Sequence, residues 1–289
     1  MSSASAVKSV PIATLITDAC AKLLSNQASL PSIPAVAARI HDAMASPNWS
    51  MRTIATIIKS DLGTTTYLLQ VANSPLYAGA APTRQVEQAI ARLGINTTRH
   101  LVMAHAVRST FVTRSALLTS LMQRTWASST RLAALCGVLA KHCSSFRPES
   151  ATLAGLLQGI GVLPILNVLN RYHEQLSNEA HVFRAIDKFA PPVGTILLTR
   201  WGFDADMVEV ARSRGNWLRD PQPAADLADV VLVAHLHAEI TSGNPQHSPR
   251  IDAVPAFAKL ALGGLRPDGS VALLHDEEAT INNLMSALG

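Results

Sequence analysis

The side chains with the most chemical reach in this chain are ten histidines and three cysteines, and their spacing argues against a metal site. A transition-metal centre needs three or four converging imidazole, thiolate or carboxylate donors. His100 and His105 lie five residues apart and His235 and His237 two apart, so neither pair shares a helical face. His41, His173, His181, His247 and His275 stand alone. Cys20, Cys136 and Cys143 are odd in number and lack a Cys-x-x-Cys spacing, the pattern of reduced thiols in a cytoplasm. Cys20 and Cys136 also fall on apolar helical stripes with no adjacent base, which makes them packing groups, not nucleophiles. Asn73 and Ser74, ahead of Pro75, suit a helix end closed by side-chain to backbone hydrogen bonds; a ligand or partner surface is the second reading. Gly155, Gly159 and Gly161 sit in an apolar run and not in a phosphate loop, so they are expected to let a neighbouring helix approach.

Charge leaves a wider choice. The formal net charge is +4, but nine Lys or Arg face one acid, Glu87, between Leu62 and Pro148. From Asp220 onward nine acids meet only Arg250, Lys259 and Arg266. A basic middle fits nucleic acid, a phosphorylated ligand or an acidic protein face. Its arginines are spread singly, so solvated faces of separate helices fit as well, and no recognition-helix motif stands out. No unbroken apolar run approaches the roughly 18 to 20 residues of a membrane span. Lys8 and short apolar pieces make a poor signal peptide, so the expected setting is the cytoplasm, with no membrane contact.

Helices must do the positioning. Hydrophobic residues make up 48% of the chain and aromatics only 4%, with Ala and Leu abundant, which points to an all-α fold. Apolar spacing predicts helices over residues 12–24, 35–44, 51–59, 64–72, 84–93 and 97–111 in the first half. In the second half it predicts 115–142, 152–170, 193–200, 205–212, 224–240, 254–262 and 276–288. Ser50 is placed to cap the third helix and Gly94 to end the fifth. The prolines of Leu30-Pro31-Ser32-Ile33-Pro34 make that stretch an extended connector. Residues 152–170 are apolar nearly all round, the pattern of a buried central helix, with Pro164 expected to kink it or end its first half. The one strand candidate is 270–274. A seam at Arg114–Ser115 is expected to divide an N-terminal helical bundle, 1–114, from a second helical domain, 115–289.

From about Leu30 to Trp217 the chain resembles the HDOD family of bacterial signalling proteins, relatives of the HD phosphohydrolases. Four stretches carry the likeness in order: Leu30-Pro31-Ser32-Ile33-Pro34; Ile58-Lys59-Ser60-Asp61, with Leu62 where the family has proline; Leu69-Gln70-Val71-Ala72-Asn73-Ser74 followed by Tyr77; and Ala89-Ile90-Ala91-Arg92-Leu93-Gly94. The second half resembles an HD-type helical domain, and here the departures matter. HD enzymes bind metal through a His on one helix, a His-Asp pair on the next and an Asp further on. On this chain the first position falls near Ser128, the pair on Gln158 and Gly159, and the last near His235. Where HD-GYP relatives have further histidines, this chain has Ala190-Pro191-Pro192 and Arg214-Gly215, and the GYP tripeptide is missing.

The resemblance therefore implies a degenerate HD-like domain with no metal and no cofactor. It implies a non-catalytic signal-transduction protein, not an enzyme, that acts by contact with other signalling proteins and holds a small nucleotide-like ligand. Ser128, Gln158, Gly159, His235 and Arg214, with Asn73 and Ser74 from the first half, are expected to line one cleft and make polar contacts. Two other readings stay open: a metal-dependent phosphohydrolase with rearranged ligands, and a nucleic-acid-binding regulator using the arginine-rich middle.

Overall fold

Apolar residues at every third or fourth position wind this chain into helices, and among the described residues no strand forms. The 270–274 candidate makes only an isolated antiparallel bridge, Leu265 to Val271, and then enters a short helix. In the first half α1 (Ile12–Leu24) and α2 (Ala35–Ala45) are followed by α3 (Met51–Lys59), α4 (Leu62–Ala72), α5 (Val86–Leu93) and α6 (Ile95–Ser109). The second half opens with α7 (Ala116–Lys141), α8 (Pro148–Leu157), α9 (Val162–Leu169) and α10 (Glu179–Arg200). It continues through α11 (Ala205–Arg212), α12 (Leu227–Thr241), α13 (Pro255–Leu260), α14 (Ala272–Asp276) and α15 (Glu278–Leu288). The computed structural model describes residues 12–25, 35–77, 79, 81–109, 113, 115–143, 145–176, 179–243 and 248–288. Lys8, the connector at 30–34, Arg114 and His247 lie outside the described residues.

Local chemistry explains most of the boundaries. The Ser50 hydroxyl accepts from the Thr53 amide at 3.1 Å to cap α3, and Asp61 Oδ1 accepts from the Thr64 amide at 2.7 Å to cap α4. Leu62 is the first residue of α4 and 82% exposed. Gly94 ends α5 at φ +81, a conformation in which a Cβ would be strained. Helices α2 to α6 pack on one another, while α7 lies along α8 and also against α12 and α15. α1 packs on α9 and α10. Contacts of α15 with α4 and of α6 with α8 join the first half to the second.

Two expectations about the second half need correction. Residues 152–170 are not one helix bent at Pro164: the chain breaks earlier, at residues 158–161, in a tight turn. There the Ile160 amide donates to Leu157 O and the Val162 amide to Gly159 O, each at 3.0 Å. The cause is packing. A Cβ on Gly161 would run into Ala190 O and lie 2.6 Å from Gly194 N, so the turn can press against α10 only through a glycine. Pro164 is harmless because it is the third residue of α9, where no intrahelical donor is needed. Secondly, α10 begins at Glu179, not near Val193, and passes through Pro191 and Pro192. Those prolines leave the carbonyls of Asp187 and Lys188 without their usual donors on an exposed face, while Phe189, Ala190, Val193 and Gly194 bury the other. By length and composition the stretch from Pro148 to Glu174 would also pass as a membrane span, contrary to the sequence reading, yet 94% of its most apolar window is buried inside the protein.

Candidate functional site

The break between α8 and α9 sets Gln158 and Gly159 on the wall of a cavity of about 350 Å³. α7 contributes Arg124, Ser128, Ser129 and Arg131, α12 contributes His235 and Glu239, and α10 contributes Phe183, Ile186 and Asp187. Arg214, from the segment after α11, completes the lining. Five of the residues expected to share a cleft (Ser128, Gln158, Gly159, Arg214 and His235) thus meet at one cavity. Gly159 serves it differently from its neighbours. A Cβ on Gly155 would lie 2.8 Å from the Ala133 backbone, so that glycine seals α8 against α7. A Cβ on Gly159 would lie 3.4 Å from Ser129 Oγ and 3.7 Å from Arg214 Nη1, ordinary contacts that leave the space in front of the guanidinium open.

Electrostatics set what this cavity can hold. Burial, and then the Arg214 charge, lower the His235 pKa to about 3, so its ring is neutral near pH 7. His235 Nε2 lies 3.4 Å from Glu239 Oε1, and the ring meets Trp217 edge-on at 5.2 Å. Burial also lowers the Arg214 pKa, against the opposing pull of Asp187 and Glu239. Arg124 donates to Glu179 Oε1 at 2.8 Å with its guanidinium over Phe183, and Arg131 donates to Thr241 Oγ1 at 2.7 Å. Gln158 is 1% exposed, and neither oxygen nor nitrogen of its amide has a hydrogen-bond partner. The hydroxyl of Ser128, the amide of Gln158 and the bare Gly159, beside an arginine, are a poor donor set for a divalent cation. Among the described residues no group of three His, Cys, Asp or Glu is arranged to hold a metal ion.

Asn73 and Ser74 do not line this cavity. Asn73 closes the loop after α4: its Nδ2 donates to Thr83 O and its Oδ1 accepts from the Thr83 amide, both at 2.8 Å. Arg92 donates to Ala72 O at 2.9 Å and to Ala81 O at 2.7 Å, so two family-like stretches meet in one structural clamp. Ser74 is buried beside it. Three other histidines serve packing. His100 stacks on Phe203 at 4.2 Å, His105 on Tyr67 at 4.4 Å, and His237 Nδ1 accepts from the Val271 amide at 3.1 Å. Cys20, Cys136 and Cys143 are buried free thiols, and burial raises the pKa of each, that of Cys20 to about 12.

Sequence reasoning missed Arg124, Arg131, Asp187 and Glu239 as cavity residues. A signal existed for three of them. Arg124, Ser128 and Arg131 stand at i, i+4 and i+7 on α7, and His235 and Glu239 at i and i+4 on α12, each one helical face. Asp187 carried no such signal, because the helix that bears it was not expected.

Comparison with known proteins gives the fold a place. The chain is similar to a protein of Shewanella amazonensis, described as a suggested metal-dependent phosphohydrolase, with 24% identity, 96% and 98% of the two chains covered and a TM-score of 0.78. It is similar to an HDOD domain protein of unknown function from Geobacter sulfurreducens, with 20% identity, 96% and 98% covered and a TM-score of 0.62. A suggested signal transduction protein from Marinobacter aquaeolei is 17% identical, with 97% of this chain and 67% of that one covered and a TM-score of 0.57. No curated protein matches. At these identities the likeness establishes the fold alone. The HDOD domain pattern matches residues 30–216, well over half the length, and on that ground the chain belongs to the HDOD family.

Proposed function

We infer that this protein is a cytoplasmic signal-transduction module that regulates by contact and breaks no bonds itself. Its partners are other signalling proteins, and the cavity holds a small nucleotide-like ligand that biases those contacts. The observation that carries this reading is the donor set of the cavity: Ser128, Gln158, Gly159 and His235 at the HD positions, with the Arg214 cation among them. A phosphohydrolase of this type relies on a divalent ion to generate hydroxide and to stabilise the leaving oxygen. A guanidinium repels such an ion and cannot activate water for it. The dispersal of the arginines supports protein contact over nucleic acid. Arg92 is bound to backbone carbonyls, Arg99 lies beside His100, and Arg124 and Arg131 face the cavity, so they form no continuous track for a phosphate backbone.

The test is metal analysis of protein purified without chelators, joined to a hydrolysis assay with bis(p-nitrophenyl) phosphate in the presence of manganese. The expected result is metal far below one equivalent per chain and no turnover above the buffer blank. Stoichiometric manganese, iron or zinc together with turnover would overturn the reading.

A further inference from the structure

The chemistry of the same cavity defines its ligand more narrowly, an inference that rests on the ligand-holding reading above. Three guanidinium groups line the wall against two carboxylates, Asp187 and Glu239. They are not equally committed. Arg124 already has Glu179 at 2.8 Å, and Arg131 uses one N–H on Thr241. The Arg214 guanidinium makes no hydrogen bond and no ion pair within 4.0 Å among the described residues, and feels Asp187 and Glu239 only at a distance. Beside it Gln158 is almost fully buried with both ends of its amide unpartnered, although buried polar groups are nearly always hydrogen-bonded. Gly159, lacking a side chain, keeps the space before Arg214 open. Phe183, 41% exposed, and Ile186 form an apolar wall on α10.

We propose that this cavity binds a small organic phosphate of about mononucleotide size, its phosphoryl group on Arg214 and Arg131 and its apolar or aromatic part against Phe183 and Ile186. A phosphate monoester has three terminal oxygens, enough to engage the whole Arg214 fork and the remaining N–H groups of Arg131; a single carboxylate cannot reach both. The Gln158 amide then finds its partner in an ester oxygen or a ring edge of the ligand. Asp187 and Glu239 accept from its hydroxyls, which a sugar supplies. A volume of about 350 Å³ lies at the lower end of small-molecule pockets, which sets the size.

The experiment titrates the full chain calorimetrically with AMP, GMP, inorganic phosphate and citrate, and follows its melting temperature in parallel. Saturable binding of at least one nucleotide is expected, tighter than that of inorganic phosphate, with citrate weaker than either. Arg214→Met and Gln158→Leu should each weaken nucleotide binding by about tenfold or more. Gly159→Val, which fills the space but keeps every charge, should weaken it comparably. Arg84→Met, on an exposed residue outside the cavity, should leave it unchanged. No saturable heat with either nucleotide, equal binding by a folded Arg214→Met variant, or citrate binding tightest would each overturn the proposal. Those outcomes leave the metal and turnover assay, and with it the contact reading, standing. Hydrolysis of a bound nucleotide would overturn the non-catalytic reading while supporting the phosphate site.

Discussion

Arg214 and Arg219 stand five residues apart on the segment that joins α11 to α12, and the fold treats their charges in opposite ways. Arg219 is 6% exposed and fully engaged: its Nη1 donates to Asp226 Oδ1 at 2.7 Å and to Asp229 Oδ1 at 2.6 Å, and its Nη2 to Asp226 Oδ2 at 2.7 Å. The same two aspartates form the capping box of α12, each accepting from the other's amide, and Lys259 lies 3.7 Å from Asp229. Burial alone would lower the Arg219 pKa, but the two carboxylates outweigh it and raise it. At Arg214 burial prevails, because Asp187 and Glu239 are too distant to compensate. One guanidinium therefore belongs to the scaffold, fixing where α12 begins and so where His235 and Glu239 point. The other is left by that scaffold with no carboxylate within 4.0 Å among the described residues.

The largest effect that separates them comes from the same substitution at both positions. Arg219→Met strands two adjacent carboxylates, one of them fully buried, and should cost about 3–5 kcal/mol of unfolding free energy in urea titrations. Arg214→Met removes a half-buried charge without stranding a partner and keeps the packing stem, so it should stay within about 1 kcal/mol of the parent or be more stable. Equal losses at the two positions would erase the distinction.

Acid separates the regions next. His235 is held at about 3 by burial and Arg214, His100 at about 4 by burial and Arg99, and His237 at about 4 by burial and Arg131. Each is neutral when folded, whereas in the unfolded chain it takes up a proton below about 6.5. Their contribution is therefore complete above pH 6.5 and is lost as pH falls towards the folded values, at up to ~1.4 kcal/mol per pH unit for each group. The Asp226 pKa is lowered because Arg219 outweighs its burial, so its contribution holds until about pH 3.9 and is lost only below. Urea midpoints should thus hold between pH 7.5 and about 6.5 and fall steadily from there to pH 4.5. His235→Phe should remove about a third of the slope. An unchanged slope would mean that His235 carries a proton in the folded state.

A smaller effect tests the glycines. Gly155→Ala places a methyl 2.8 Å from the Ala133 backbone, which no side-chain rotation relieves, and should cost about 1–3 kcal/mol by the same titration.

What was legible in the sequence follows from where the causes lie. Helices α1, α3 and α11 match the residues read from apolar spacing because caps such as Ser50 and Asp204 and a buried stripe act within one turn. The first part of α10 was hidden because Pro191 and Pro192 read locally as breakers, while what keeps the helix intact is burial of Phe189, Ala190 and Val193. The break at 158–161 was hidden because its cause is Ala190, thirty residues away. Family resemblance pointed to Ser128, Gln158, Gly159, Arg214 and His235, which composition and spacing alone would not have grouped. Asn73 and Ser74 went the other way: their local chemistry was read correctly as a helix end, and placing them in the cavity was an error of three-dimensional distance.

Gly159 offers the smallest and most discriminating effect. Its backbone is not in the left-handed region, so alanine can adopt the same dihedrals without strain. The added methyl would meet Ser129 Oγ at 3.4 Å and Arg214 Nη1 at 3.7 Å and displace nothing. Gly159→Ala should then stabilise the fold by about 0.4–1 kcal/mol, because alanine loses less backbone freedom on folding. Calorimetric melting of Gly155→Ala and Gly159→Ala side by side should give shifts of opposite sign. A loss at both would mean that the wall before Arg214 is packed as tightly as the α7–α8 seam, and then no room for a ligand would remain there.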